Sequence, residues 1–255
     1  MSILFSDIRS FTSLSESMLP EENFKFVNTY LSKMGPIVRE NNGYIDKFIG
    51  DAIMALFETS PDDAVRTSVK MLDALREYNK ERIREGNDPI QIGIGVNTGM
   101  MMLGTLGESD RMEGSVISDA VNIAARLEGL TKLYKTPLLI SGETLLKIED
   151  SIFETRLIDK VAVKGKVKPI MVHEVLNGET PDLREKKISM LPKFKKCFEL
   201  YQNQKFENAL ELLRKYLDKF PEDHVGELYV ERCQKIISSG WDSENWEGIN
   251  YMDNK

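Results

Sequence analysis

Residues 44–57 read Tyr-Ile-Asp-Lys-Phe-Ile-Gly-Asp-Ala-Ile-Met-Ala-Leu-Phe (YIDKFIGDAIMALF), two short apolar runs joined by Gly50-Asp51. Runs of this length and composition, broken by such a pair, predict a β-hairpin with the Asp51 carboxylate at its tip. A second apolar run, Ser2–Phe5, predicts a strand, and Asp7 closes it within FSDIRSFT (5–12). Two carboxylates at strand ends are able to converge. Hard cations such as Mg²⁺ and Mn²⁺ take oxygen ligands, usually one or two carboxylates with substrate phosphates completing the shell. Two such ions ~4 Å apart can activate a hydroxyl and neutralise a triphosphate. Taken singly, Asp51 reads as a turn residue beside Gly50 and Asp7 as a cap for the helix after strand one, and spacing alone favours these plainer readings.

Outward from the hairpin, Pro20-Glu-Glu opens a helical pattern through about Asn42, with acids in its first turn. Val65, Val69, Leu72 and Leu75 recur at helical spacing between Pro61 and Glu85, and Gly86 closes that helix. IQIGIGVN (90–97) alternates as a strand, with Met100–Leu106 expected as its partner across Thr98-Gly99, a polar loop over 107–114, then Val116-Ile117. A third helix is expected over Asp119–Tyr134, and further strands over 137–140, 153–163 and 170–176. This order predicts an α+β domain with helices packed on a sheet. NGETPDLR (177–184) marks a linker, set at 177–188, and a helical C-terminal extension is expected over 189–255. Phe206-Glu-Asn-Ala209 with Pro221 downstream resembles one tetratricopeptide-type helix pair, with Gln204 where such repeats carry Gly. One unit falls short of the three or so a stacked array needs, so a helical cap is favoured over a peptide-binding repeat.

The chain has 255 residues and a formal charge of -7, which argues against a nucleic-acid surface and asks any polyphosphate ligand to find local cations or metal. Two unclustered cysteines, Cys197 and Cys233, form neither a disulfide framework nor a zinc site. No apolar run reaches the ~18 residues of a membrane span, and residues 1–12 lack a signal peptide's regions, so a cytoplasmic chain, or the cytoplasmic part of a longer membrane-bound protein, is expected. A strand starting almost at Met1 leads us to expect an upstream segment, such as a sensor domain, in a longer parent chain. His173 and His224 are isolated and read as structural.

FSDIRSFT (5–12), YIDKFIGDAIMALF (44–57), SDAVNIAARLEGL (118–130) and VKGK (163–166), in that order, resemble the catalytic domain of class III nucleotidyl cyclases over Ser2–Leu176. SGWDSENWEGINYM (239–252) resembles the terminal segment of a bacterial adenylate cyclase subgroup. The resemblance implies a ferredoxin-like, palm-type sheet over 1–176. It makes Asp7 and Asp51 ligands of two Mg²⁺ or Mn²⁺ ions, with the Ile8 carbonyl as a further ligand. The amides from Ile8 through Arg9, Ser10 and Phe11 to Thr12 would then face the triphosphate. Ser10 stands where many members have Gly.

Asn122 and Arg126, four residues apart, share a helix face. By themselves they read as a solvated polar pair. By resemblance Asn122 orients the ribose and Arg126 stabilises charge on the α-phosphoryl group, a role suited to a permanently charged guanidinium. Lys164 is implied at the terminal phosphates ahead of Lys166, and Arg111 reads as a solvated loop residue or a second phosphate contact. Lys47 and Ser115 match the base-reading positions, a lysine donating to adenine N1 and a hydroxyl accepting from the exocyclic amine. Ser115 in place of Asp is similar to the subgroup with Thr or Ser there, several members of which respond to bicarbonate. The implied activity is conversion of ATP to cyclic AMP and pyrophosphate by a head-to-tail homodimer whose sites draw residues from both subunits. The rivals are a guanylate cyclase, which would pair an acid with guanine N1–H at position 47, and a catalytically silent cyclase-like module, which would have lost a metal aspartate or the arginine.

Overall fold

The computed structural model describes residues 1–108, 111–149, 152–163, 169–240 and 246–252, and only the backbone of 106, 107, 111–115, 117, 163 and 252. It divides into two compact units, Met1–Ile152 and Phe153–Lys255. In the first, β1 (Ser2–Ile8), α1 (Phe11–Glu16), α2 (Pro20–Glu40), β2 (Gly43–Ile49), β3 (Ala52–Phe57), α3 (Pro61–Arg84) and β4 (Ile92–Thr98) follow in sequence. β1 lies antiparallel between β3 and β4, and β2 pairs along the outer edge of β3. The resulting order β4-β1-β3-β2 is the ferredoxin-like arrangement of a split βαβ chain. After β5 (Met102–Glu108), β6 (Arg111–Ile117) and α4 (Asp119–Tyr134), β7 (Leu138–Ser141) adds parallel to β4, and the short α5 (Gly142–Leu145) follows.

Alternation along β1 places the helices. Ile3 packs with Met54, Leu56 and with Ala120 and Ala124 of α4, whereas the Ser6 hydroxyl lies 3.5 Å from the Tyr30 hydroxyl on α2. Odd and even positions of a strand face opposite ways, so α4 and α2 cover opposite faces of β1. Helix starts follow their signals: Ser60 Oγ accepts from the Asp62 amide at 3.2 Å ahead of Pro61, and Ser118 Oγ from the Ala120 amide at 3.0 Å.

The alternating strand at 90–97 does not pair with its expected neighbour. β1 and β7 occupy both edges of β4, all seven of whose residues are buried, and β5 pairs instead with β6 as a separate two-stranded ribbon. The polar stretch expected as a loop over 107–114 is therefore largely strand. Gly95 is what lets α4 cross β4 closely: a Cβ there would stand 2.2 Å from the Glu128 backbone nitrogen.

In the second unit, β8 (Thr155–Val163) and β9 (Ile170–Val175) form an antiparallel pair. α6 (Pro181–Gln202), α7 (Phe206–Leu217) and α8 (His224–Ser239) then pack in succession. The stretch read as a linker holds a 3-10 turn at Leu176–Gly178 and the first turns of α6. Pro181 there is a first-turn helix proline rather than a loop marker. Gln204, between α6 and α7, has φ 60°, the left-handed conformation that explains glycine at the matching position of helical repeats. The extension is not helical to its end: β10 (Asn250–Met252) runs parallel to β8. Trp246 is seated edge-on against Tyr201 and Phe206, and its indole donates to the Gln202 carbonyl at 3.2 Å. Arg156 is buried over the Phe194 ring, its guanidinium donating to Glu174 at 2.9 Å and to both Asp223 oxygens at 2.7 and 3.0 Å. Cys197 and Cys233 are buried and unpaired, and burial pushes their thiols up to about 11 and about 12. His173 is half-buried, and that desolvation lowers it to about 4 and keeps it neutral.

Candidate active site

Asp7, at the end of β1, and Asp51, in the β2–β3 turn, meet at one backbone amide. The Ile8 N–H donates to Asp51 Oδ2 at 3.0 Å and to Asp7 Oδ1 at 3.1 Å. Gly50, at φ 65°, makes the turn that delivers Asp51. Asp51 is 7% exposed, and burial followed by the adjoining Asp7 carboxyl raises it to about 7, against the Ile8 amide. A buried carboxyl held against a second one and resisting ionisation is ground prepared for a cation. No group of three or more His, Cys, Asp or Glu able to hold a metal occurs among the described residues. Two carboxylate ligands with the rest of the shell left to substrate oxygens suit Mg²⁺ or Mn²⁺, so the donor set fits the ions implied by the sequence.

The segment after Ile8 departs from expectation in part. The Ile8 amide is taken by the aspartates, and the Arg9 amide donates to the Gln91 carbonyl at 2.8 Å, so neither is available to a phosphate. Ser10 adopts φ 56° as the N-cap of α1, the conformation that accounts for glycine in this place in related sequences. Phe11 stacks on Phe26 with centroids 6.4 Å apart, and Thr12 is exposed. The Arg9 side chain turns inward, Nη1 to Glu128 Oε1 at 2.9 Å and Nη2 to the Glu128 carbonyl at 3.1 Å. Burial raises Glu128 to about 7, Arg9 opposing and Asp7 adding to the rise.

α4 buries Ala120, Ala124, Leu127, Thr131 and Tyr134. Asn122 is exposed and Arg126 half-buried on the other side, and neither side chain makes a hydrogen bond or ion pair to the described residues. Lys47, on edge strand β2 just after a bulge, has its Nζ 3.3 Å from Asp46 Oδ2. Ser115 lies on β6 opposite Gly104, its side chain and that of Arg111 being outside those described. Lys164 and Lys166 lie outside the described residues. The sequence reading missed Glu128 and the two glycines of IGIGVN (92–97). Two glycines spaced two apart put their missing side chains on one strand face, and that spacing was the available signal.

The description "Adenylate and Guanylate cyclase catalytic domain" matches residues 1–177, a stretch that includes β8 and β9. An adenylate cyclase of Anabaena cylindrica is 46% identical over 182 residues, covering 69% of this chain and 36% of that protein. The terminal-differentiation-specific adenylate cyclase of Dictyostelium discoideum is 38% identical over 246 residues, 94% of this chain and 12% of that protein. That likeness continues through the helical extension. The chain thus spans well under two thirds of either relative. Among solved structures, the guanylyl cyclase Cya2 superposes with a TM-score of 0.61 at 36% identity, over 71% of this chain and 93% of that one.

Proposed function

We propose, for a chain that belongs to the adenylate and guanylate cyclase catalytic domain family, that it converts ATP to 3′,5′-cyclic AMP and pyrophosphate. The observation that carries this reading is one chain holding both halves of the chemistry: Asp7 and Asp51 converged on the Ile8 amide, and Asn122 with Arg126 uncommitted on the outer face of α4. Asp7, Asp51 and the Ile8 carbonyl would hold two Mg²⁺ or Mn²⁺ ions, which supply a more acidic 3′-hydroxyl and neutralised phosphate charge. Asn122 orients the ribose so that the 3′-oxygen lies in line with the α-phosphorus, and Arg126 donates to the oxygens on which charge grows. The amides of Ser10, Phe11 and Thr12 and the Lys164 ammonium receive the β- and γ-phosphates. Lys47 donates to adenine N1 and Ser115 accepts from the 6-amino group. The adenylate cyclase relatives support the adenine reading, and lysine at position 47 supports it against guanine, whose N1 carries a proton.

Two copies arranged head to tail would make two equivalent sites, each with the metal half of one chain and the α4 half of the other. Exposed apolar residues beside the site residues, Phe48 and Ile49 on β2 with Met102 and Leu103 on β5, support a partner surface there. The catalytic domain is taken as 1–176, and the helical extension expected over 189–255 as opening instead with α6 at Pro181, tetratricopeptide-like in α6 and α7. No helix among the described residues is long and apolar enough to cross a membrane. The cyclase reading puts the chain in the cytoplasm, by itself or as the cytoplasmic part of a longer membrane-bound protein. The reading is tested by mixing two inactive chains, Asp51→Ala and Arg126→Ala. One site of each mixed dimer is then intact, so part of the activity returns. No return despite demonstrated subunit exchange refutes shared sites.

A further inference from the structure

Arg9 follows Ile8 directly, so its side chain leaves the backbone beside the amide on which Asp7 and Asp51 converge. It does not reach outward. Its guanidinium grips both the carboxylate and the main-chain carbonyl of Glu128, at 2.9 and 3.1 Å, and Thr131 Oγ1 donates to that same carbonyl at 2.6 Å. The two side chains are 20% and 14% exposed, so the pair is unlike the solvated surface bridges that contribute little. Room for it is made by Gly93, which pairs with Asp7 across the sheet. A Cβ on Gly93 would stand 1.4 Å from Arg9 Nη2. Glu128 in turn lies on α4 two residues beyond Arg126.

We infer that the Arg9–Glu128 pair is a positioning strut that fixes the metal-binding half-site of a subunit to the Asn122/Arg126 half-site of the same subunit. This rests on the shared-site reading above, in which those two halves serve different active sites. The strut therefore couples the two sites of the dimer: whatever shifts α4 at one shifts the Asp7–Ile8 segment at the other. It also assigns Arg9 to positioning rather than to phosphate contact.

The mixed dimer supplies the test. In it the Arg126→Ala chain provides Asp7 and Asp51 to the single intact site, and the Asp51→Ala chain provides Asn122 and Arg126. Glu128→Gln is added to one chain or the other. A strut predicts a fall in kcat of about 10-fold or more from either placement, with the KM for ATP moved less, since displacements of an ångström are felt at this level. Loss from one placement only overturns the coupling. Recovery in the mixture before Glu128→Gln is added checks the shared-site reading separately. A readout free of turnover is calorimetric titration of the unmixed chain with Mn²⁺ alone: Glu128→Gln weakens binding several-fold, and unchanged binding overturns the strut. Asp51→Ala in the same titration checks the metal site itself. Should Glu128→Gln not fold, Arg9→Lys keeps the charge while losing the planar fork whose two nitrogens reach separate acceptors, and gives a smaller loss in the same pattern. Wild-type kcat and Mn²⁺ affinity in Arg9→Lys likewise overturn the proposal.

Discussion

Gly95→Ala adds a single methyl group where α4 crosses β4. The new Cβ would lie 2.2 Å from the Glu128 nitrogen, 2.4 Å from the Ala124 carbonyl oxygen and 2.8 Å from the Leu127 carbonyl carbon. All three are backbone atoms, so no side chain can swing aside. Ordinary contact begins at 3.4 Å, so α4 must retreat by about 1 Å in a close-packed interior. Overpacking of this kind costs about 1–3 kcal/mol, which lowers Tm by roughly 2–12 °C in a domain of this size. The larger effect falls on turnover. Asn122 and Arg126 ride on α4, and a displacement near 1 Å can cost about 10²-fold in rate. The assay pairs calorimetry with initial rates of cyclic AMP formation. Gly35→Ala on α2 is the control: its Cβ would meet nothing closer than 3.4 Å, and it should stabilise by up to about 1 kcal/mol through helix propensity. Wild-type kcat and Tm in Gly95→Ala would refute the claim that this crossing sets the position of the catalytic helix.

Ser10→Gly relieves a left-handed residue at φ 56° and should raise stability to urea by about 1 kcal/mol; a loss of stability contradicts the strain. Asp51 and Glu128, both raised to about 7, bind protons more tightly in the folded than in the unfolded chain. In the metal-free protein their contribution to stability therefore falls as pH rises from about 4 to about 7. A cation needs Asp51 ionised, so Mn²⁺ affinity should drop about 10-fold per pH unit below about 7, for one competing proton; affinity independent of pH between 5.5 and 7 disproves this. Arg156→Ala leaves the buried Asp223 carboxylate with only the Tyr216 hydroxyl at 2.5 Å and the buried Glu174 with only Lys187, and should cost about 3–5 kcal/mol. Urea unfolding followed by tryptophan fluorescence would show it, and a change under 1 kcal/mol would mean that the network has relaxed around the gap.

The hairpin at 44–57 and the strand ending at Asp7 were legible because alternation and a Gly-Asp turn are local signals, and the carboxylates they carry do converge. The pairing of β4 was not. Alternation says that a strand has two faces but is silent on which strands lie at its edges, and β7, forty residues on, takes the edge assigned to β5. Arg9 was read for its amide, which donates to the Gln91 carbonyl instead, and its guanidinium points to Glu128, 119 residues away. Contacts of that span leave no trace in spacing, apart from the vacancy that Gly93 provides. The C-terminal strand at Asn250–Met252 escaped for a similar reason: three residues carry no periodicity, and their order comes from pairing with β8.

The central claim is most directly tested by offering the purified chain equimolar ATP and GTP with Mn²⁺ and identifying the cyclic products by mass spectrometry, beside a Lys47→Glu chain. We expect 3′,5′-cyclic AMP with matching pyrophosphate from the native chain, cyclic GMP lower by orders of magnitude, and loss of cyclic AMP synthesis in Lys47→Glu, since an unpaired polar group in such a site can cost ~10⁴-fold. Comparable cyclic GMP from the native chain, or no cyclic nucleotide at all, would contradict the account.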